Sequence, residues 1–127
     1  MQNVINLSEA RMGIYRDGKA APIAREPGPP PRIDGYIVGW TEIAPDAPPR
    51  HTGELHPDAD EVLVVVSGLM EVVLEDEDGT QTTYDVGPGE SIVVTRGTWH
   101  RTAAREPSVL LNITPGPHGE WRPLPQA

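Results

Sequence analysis

Glycine and proline punctuate this chain so densely that it has no room for a long regular element. Fifteen Pro and thirteen Gly are spread over 127 residues, and apolar runs recur at roughly ten-residue spacing with Gly or Pro turns between them. Helix interiors reject both residues, whereas short strands joined by tight turns need them. The pattern predicts an all-β fold, a sandwich or small barrel. The length fits one domain with one hydrophobic core. With no Phe, that core must be built from Val, Leu, Ile and three Trp.

Residues 33–114 carry the barrel pattern. Strand composition covers Tyr36 to Ile43, and Pro45, Pro48 and Pro49 then break the chain before a strand with Glu54 and His56. Val62 to Val66 is apolar throughout, as expected of a strand covered on both faces. If one face lines the interior, Val62, Val64 and Val66 need a cover, and a second subunit or the N-terminal segment would supply it. A homodimer is expected. Further strands are predicted over residues 69–75, 80–86, 91–95, 98–103 and 108–114, with Asp76-Glu77-Asp78-Gly79 as a solvated hairpin tip and Gly79 at positive φ. Residues 1–32 read as an N-terminal arm ending in a stiff Pro-rich linker, with Val4, Ile5 and Leu7 as a short edge strand. Residues 115–127 read as an extended Pro/Gly tail.

Charge and composition exclude several functions. A net charge of −9 and a pI near 4.7 oppose binding to nucleic acid or an anionic membrane, which both need a basic face. The absence of Cys removes disulfides, thiolate catalysis and Cys-ligated zinc. The N-terminus has no basic region followed by an apolar core, and no apolar run could cross a bilayer, so a cytoplasmic protein is expected.

What remains is chemistry based on His and carboxylate. In an extended chain Glu54 and His56 point the same way, and Glu61, heading the next strand, can return to their face. His100 is the downstream candidate for the same cluster. Thr98 and Thr102 share its face, and Leu63 and Val65 share that of Glu61. With Met70 and Val72 they would make a largely apolar cavity with a polar end, and His51 would stand at its rim. Trp99 should point away from His100. By strand phase, Arg96 and Arg101 read as surface residues, and His118 in the tail as exposed.

These residues fall into register with two family motifs. In G-x5-H-x-H-x(3,4)-E-x6-G, His56, Glu61 and Gly68 match, while Glu54 stands at the first His and Pro48 at the leading Gly. In G-x5-P-x-G-x2-H-x3-N, Gly89, Gly97 and His100 match, while Thr95 replaces Pro and Ala104 replaces Asn. The chain thus resembles the cupins over about residues 36–114, a likeness that implies a double-stranded β-helix or jelly-roll barrel. The resemblance makes His56, Glu61 and His100 metal ligands. Glu54 would be a fourth ligand or, set back from the ion, a general base. Such a donor set suits Fe(II) or Mn(II), with Zn, Ni and Co as alternatives. The implied function is metal-dependent chemistry of the dioxygenase, isomerase or decarboxylase type on a small organic molecule. The alternative is a non-catalytic cupin that binds a small ligand.

Overall fold

The structure, a computed structural model, describes residues 3–125. Residues 1–2 of the expected arm and 126–127 of the expected tail lie outside the described residues. The fold is an all-β jelly-roll barrel made of two antiparallel sheets. The eleven strands among the described residues are β1 (Ala10–Tyr15), β2 (Ala20–Ala24), β3 (Gly35–Ile43), β4 (Gly53–Leu55), β5 (Glu61–Ser67), β6 (Met70–Glu75), β7 (Gln81–Val86), β8 (Ser91–Val94), β9 (Trp99–Ala104), β10 (Ser108–Pro115) and β11 (Glu120–Arg122). One sheet runs β2-β1-β3-β10-β5-β8 and the other β11-β4-β9-β6-β7. Among the described residues no helix is long and apolar enough to cross a membrane.

Strand alternation decides what faces inward. Along β5, Glu61, Leu63 and Val65 are buried while Val62 and Val64 are half-buried on the other face. From the opposite sheet, Met70 and Val72 on β6 pack against them with Val86, Val94, Ala104 and Leu110. This packed cluster closes one end of the interior. At the β5–β6 turn, Gly68 has φ 86°, and a Cβ there would also run into the Pro107–Ser108 backbone. Glycine is required on both counts. Ser108 Oγ accepts the Leu69 N–H at 3.0 Å and donates to the Glu106 carbonyl, pinning that corner to β10. The hairpin tip at Asp76–Gly79 forms as predicted. Gly79 has φ 87°, and both Asp76 and Asp78 accept the Thr80 N–H at 2.9 Å.

The ends of the chain differ from their expected form. No strand forms at Val4, Ile5 or Leu7. Asn6 instead starts a turn in which its carbonyl accepts the N–H groups of Glu9 and Ala10, and its side chain accepts that of Ser8. The strands follow at β1 and β2, which extend the larger sheet beyond β3 as a hairpin. Part of the segment expected as an N-terminal arm therefore adds to the sheet edge. The tail likewise contributes β11, which pairs with β4.

The hairpin leaves the outer face of the larger sheet only partly covered. A cross-strand row of apolar residues, Val93, Val62, Ile113, Val38, Met12 and Pro22, crosses all six strands. Beside it Val66 is 41% exposed.

Candidate metal centre

The smaller sheet builds the polar end of the interior. Direct cross-strand neighbours share a face, so the register Trp121–Glu54–His100–Leu74 places these four side chains in one inward row. Glu61 faces them from the first position of β5. His56 lies just beyond β4, and its carbonyl accepts the Gly97 N–H at 2.9 Å. That bond ties the turn before β9 to the His56 backbone and brings the two histidines together. Their ring centroids are 5.2 Å apart.

The distances define a tight cluster. His100 Nε2 is 3.0 Å from Glu61 Oε1, and His56 Nε2 is 3.4 Å from Glu61 Oε2 and 3.6 Å from Glu54 Oε2. Ligand atoms of Glu54, His56 and His100 all lie within 4.8 Å of one another. His56, Glu61 and His100 are 3%, 4% and 5% exposed. Glu54 is half-buried at the open side, where its Oε1 lies 3.4 Å from His51 Nε2 and 3.7 Å from Arg32 Nη2.

Supporting contacts hold these groups in place. His100 Nδ1 donates to the Thr98 carbonyl at 3.0 Å, which aims Nε2 at the cluster. Glu61 Oε2 accepts the Thr114 hydroxyl at 2.6 Å, and Thr114 Oγ1 accepts from Asn112 Nδ2 at 2.8 Å. Gly39 makes room for this chain, because a Cβ there would come within 2.5 Å of Asn112 Oδ1.

Electrostatics follow from the packing. Burial disfavours the Glu61 carboxylate, yet contact with His100 and His56 overrides it and holds the pKa at about 2. Burial opposes the charged form of His56 too, but the facing carboxylates of Glu54 and Glu61 raise its pKa to about 9. Glu54 is pulled below its ordinary value against burial, by contact with His56 and the charge of His51.

A divalent ion fits this arrangement. Both ring nitrogens of His56 are buried without a hydrogen-bond partner, an arrangement that costs about 1–3 kcal/mol per unsatisfied group. The donor set is two imidazoles and two carboxylates, all nitrogen and oxygen, as first-row divalent metals prefer. With metal–ligand bonds of about 2.1 Å, adjacent donors sit roughly 3 Å apart. The 3.0–3.6 Å separations are of that size. The carboxylates of Glu54 and Glu61 would balance the charge of the ion.

The structure therefore gathers Glu54, His56, Glu61 and His100, while the expected cavity lining needs correction. Leu63, Val65, Met70 and Val72 are consumed by the packed core, since large side chains from both sheets meet there and fill the space. Thr98 acts through its carbonyl, and Thr102 is exposed on β9. The open space, about 670 Å³, lies on the other side of the cluster. Glu54, His56 and His51 line it together with Arg32, Arg50 and Trp121. Trp99 points away from the cluster as expected, onto the outer face under the Arg122 guanidinium at 4.1 Å. His118 is exposed and pairs with Asp58 at 3.0 Å.

Sequence reasoning missed Thr114, Asn112, Arg32, Arg50 and Trp121. Asn112 and Thr114 sit two apart on a predicted strand, so alternation could have revealed their shared inward face. Arg32 and Arg50 lie in irregular segments that give no phase to read.

Comparison with known proteins agrees with the architecture. The sequence model of the Cupin domain matches residues 39–114. No curated protein matches the sequence. Similar solved structures include oxalate decarboxylase of Bacillus subtilis, a protein with Mn(II) centers, at TM-score 0.58 and 21% identity over 68% of this chain and 23% of that one. An oxalate oxidase in complex with the substrate analogue glycolate aligns at TM-score 0.56 and 19% identity, over 68% of this chain and 45% of the other. The chain thus spans less than half the length of either protein, and at these identities the likeness is one of fold.

Proposed function

The chain belongs to the cupin family, and from that premise we propose that it is a metal-dependent enzyme acting on a small organic molecule. The observation that carries this reading is the buried His56, with both ring nitrogens unpartnered, facing two carboxylates beside a second histidine. His56, Glu61 and His100, with Glu54 at the open side, would hold a divalent ion, iron or manganese ahead of zinc, nickel or cobalt, which would supply Lewis-acid or oxygen-activating chemistry to an oxygen-bearing substrate.

The chain's own residues divide the remaining work. Thr98 fixes the tautomer and aim of His100 through Nδ1. Thr114 and Asn112 orient Glu61, leaving its Oε1 directed at His100. Glu54 stands between the cluster and the open cavity, its two oxygens divided between His56 on one side and His51 with Arg32 on the other. From there it either completes the ligand set or takes a proton from a substrate lying in the cavity. The packed cluster behind the site excludes water from that side.

The test is elemental analysis of untagged protein. About one equivalent of iron or manganese is expected. Less than about a tenth of an equivalent of any transition metal, in a stably folded protein, supports the non-catalytic ligand-binding alternative instead.

A second copy of the chain is the proposed cover for the apolar row on the outer sheet face, because the N-terminal hairpin extends that sheet without fully shielding it. Light scattering should then give twice 13.8 kDa at micromolar concentration, and a single-chain mass would refute the pairing.

A further inference from the structure

The open cavity has a chemical bias of its own. This chain carries nineteen acidic residues against ten basic ones, yet Arg32 and Arg50 both line the space beyond Glu54 and His56. Arg11 and Arg25 belong to the same basic neighbourhood. Burial together with the charges of Arg25, Arg50 and Arg32 pushes the Arg11 guanidinium below its ordinary value. Arg32 and Arg50 thus bring two guanidinium groups to one cavity of a protein whose net charge is −9. Arg32 is a built part of the wall, with only 21% of its side chain exposed and Nη2 set 3.7 Å from Glu54.

The opposing charges are few. Glu54 and Glu61 balance a divalent ion, which leaves Glu120 as the acidic residue on the cavity wall. The same cavity is lined by Trp121, which lies directly across from Glu54 in the register and is 61% exposed. Pro29 and Pro30 supply further apolar surface. An indole left this open beside guanidinium groups is the surface that a flat, partly apolar ligand covers.

We infer that the cavity takes a small organic anion with a flat apolar body, its carboxylate directed at Arg32 and Arg50 and its body packed on Trp121. Guanidinium groups suit a carboxylate through paired N–H donors, and the local positive field would draw an anion to an otherwise acidic protein. This deepens the metal-centre reading and rests on it for the charge balance at Glu54 and Glu61. It makes Arg32, Arg50 and Trp121 specificity-determining residues.

Calorimetry on the metal-loaded full chain tests the inference, with 2-naphthoate as probe and neutral 2-naphthamide as its uncharged control. The naphthoate should bind at least about tenfold tighter than the amide. Arg50→Gln, which removes a guanidinium without touching the histidine cluster, should weaken naphthoate binding about tenfold and leave the amide unchanged. Arg32→Gln should do the same, with metal content measured alongside because Arg32 contacts Glu54. Trp121→Ala should weaken both probes alike. Equal affinity for the two probes, or no naphthoate binding at millimolar concentration, overturns the anion site even where the metal is stoichiometric. Arginine-dependent naphthoate binding to a protein that takes up no metal overturns the metal centre and leaves the anion site standing.

Discussion

The two ends of the barrel interior are built on opposite terms, although the same strands supply both. At the closed end Leu63, Val65, Met70, Val72 and Leu110 interdigitate and exclude water. At the open end, two residues before Leu63 on the same face of β5, Glu61 meets His56 and His100. Apolar burial contributes roughly 25 cal/mol per Å², so the closed end stabilises the fold. Burying two imidazoles and a carboxylate gains little or costs stability, so the open end has to be explained by what it binds. The fold tolerates this because the packed cluster and the sheet ladders position the polar side chains without help from them.

The strongest way to break this division is at Met70, which is fully buried. Met70→Ala should destabilise the protein by about 2–5 kcal/mol in denaturant unfolding, with metal stoichiometry unchanged. A loss of metal alongside would show that the two ends are not separable. The converse change is Glu61→Gln, which keeps the shape and the Thr114 contact but removes the charge. It should reduce metal content below about a tenth of an equivalent in a protein that still folds. Metal retained at one equivalent would show that the Glu61 charge is not needed to hold the ion.

Thr114→Val acts more gently, since it removes the hydroxyl that orients Glu61 and preserves volume. Metal affinity should fall about 10–100-fold, read by competition with a chelator, and unaltered affinity would show that Glu61 needs no such support. The smallest signal is protonic. His56, held near pKa 9 in the metal-free protein, must lose its proton to accept an ion. Loading at pH 7.5 should therefore release about one proton from it, seen by calorimetry in buffers of different ionisation enthalpy. The same shifts give the metal-free protein a window of greatest stability between the ordinary carboxyl and imidazole values. The Glu61 contribution is lost as pH falls from 4.5 toward 2, and that of His56 as pH rises from 6.5 through 9. Flat stability across both limbs would mean that the ion pairs contribute nothing without the metal.

Much of this was legible in the sequence because a strand has period two. Alternation put Leu63 and Val65 on the face of Glu61, and motif register put His100 with His56. Alternation says which side a residue faces but not whether the space there is filled. Leu63, Val65, Met70 and Val72 were thus read as cavity wall, although four large side chains from facing sheets leave no cavity between them. The terminal strands were missed for a different reason. Ala20-Ala-Pro-Ile-Ala on β2 has little β-branched content, and its strand state comes from pairing with β1, a tertiary effect that overrides propensity. The three short pieces lining the cavity carry no periodicity at all, so their convergence shows only in the folded chain.

That convergence has an evolutionary consequence. The residues proposed to hold the ion are anchored on strands and their immediate flanks, whereas the opening is walled by residues 28–32, 50–51 and 119–121, three irregular or terminal stretches far apart in the chain. Substitution or length change in any of those stretches would alter which guest is admitted while leaving the gripping residues untouched. If the proposed centre is catalytic, selectivity and reactivity in this architecture are free to drift independently.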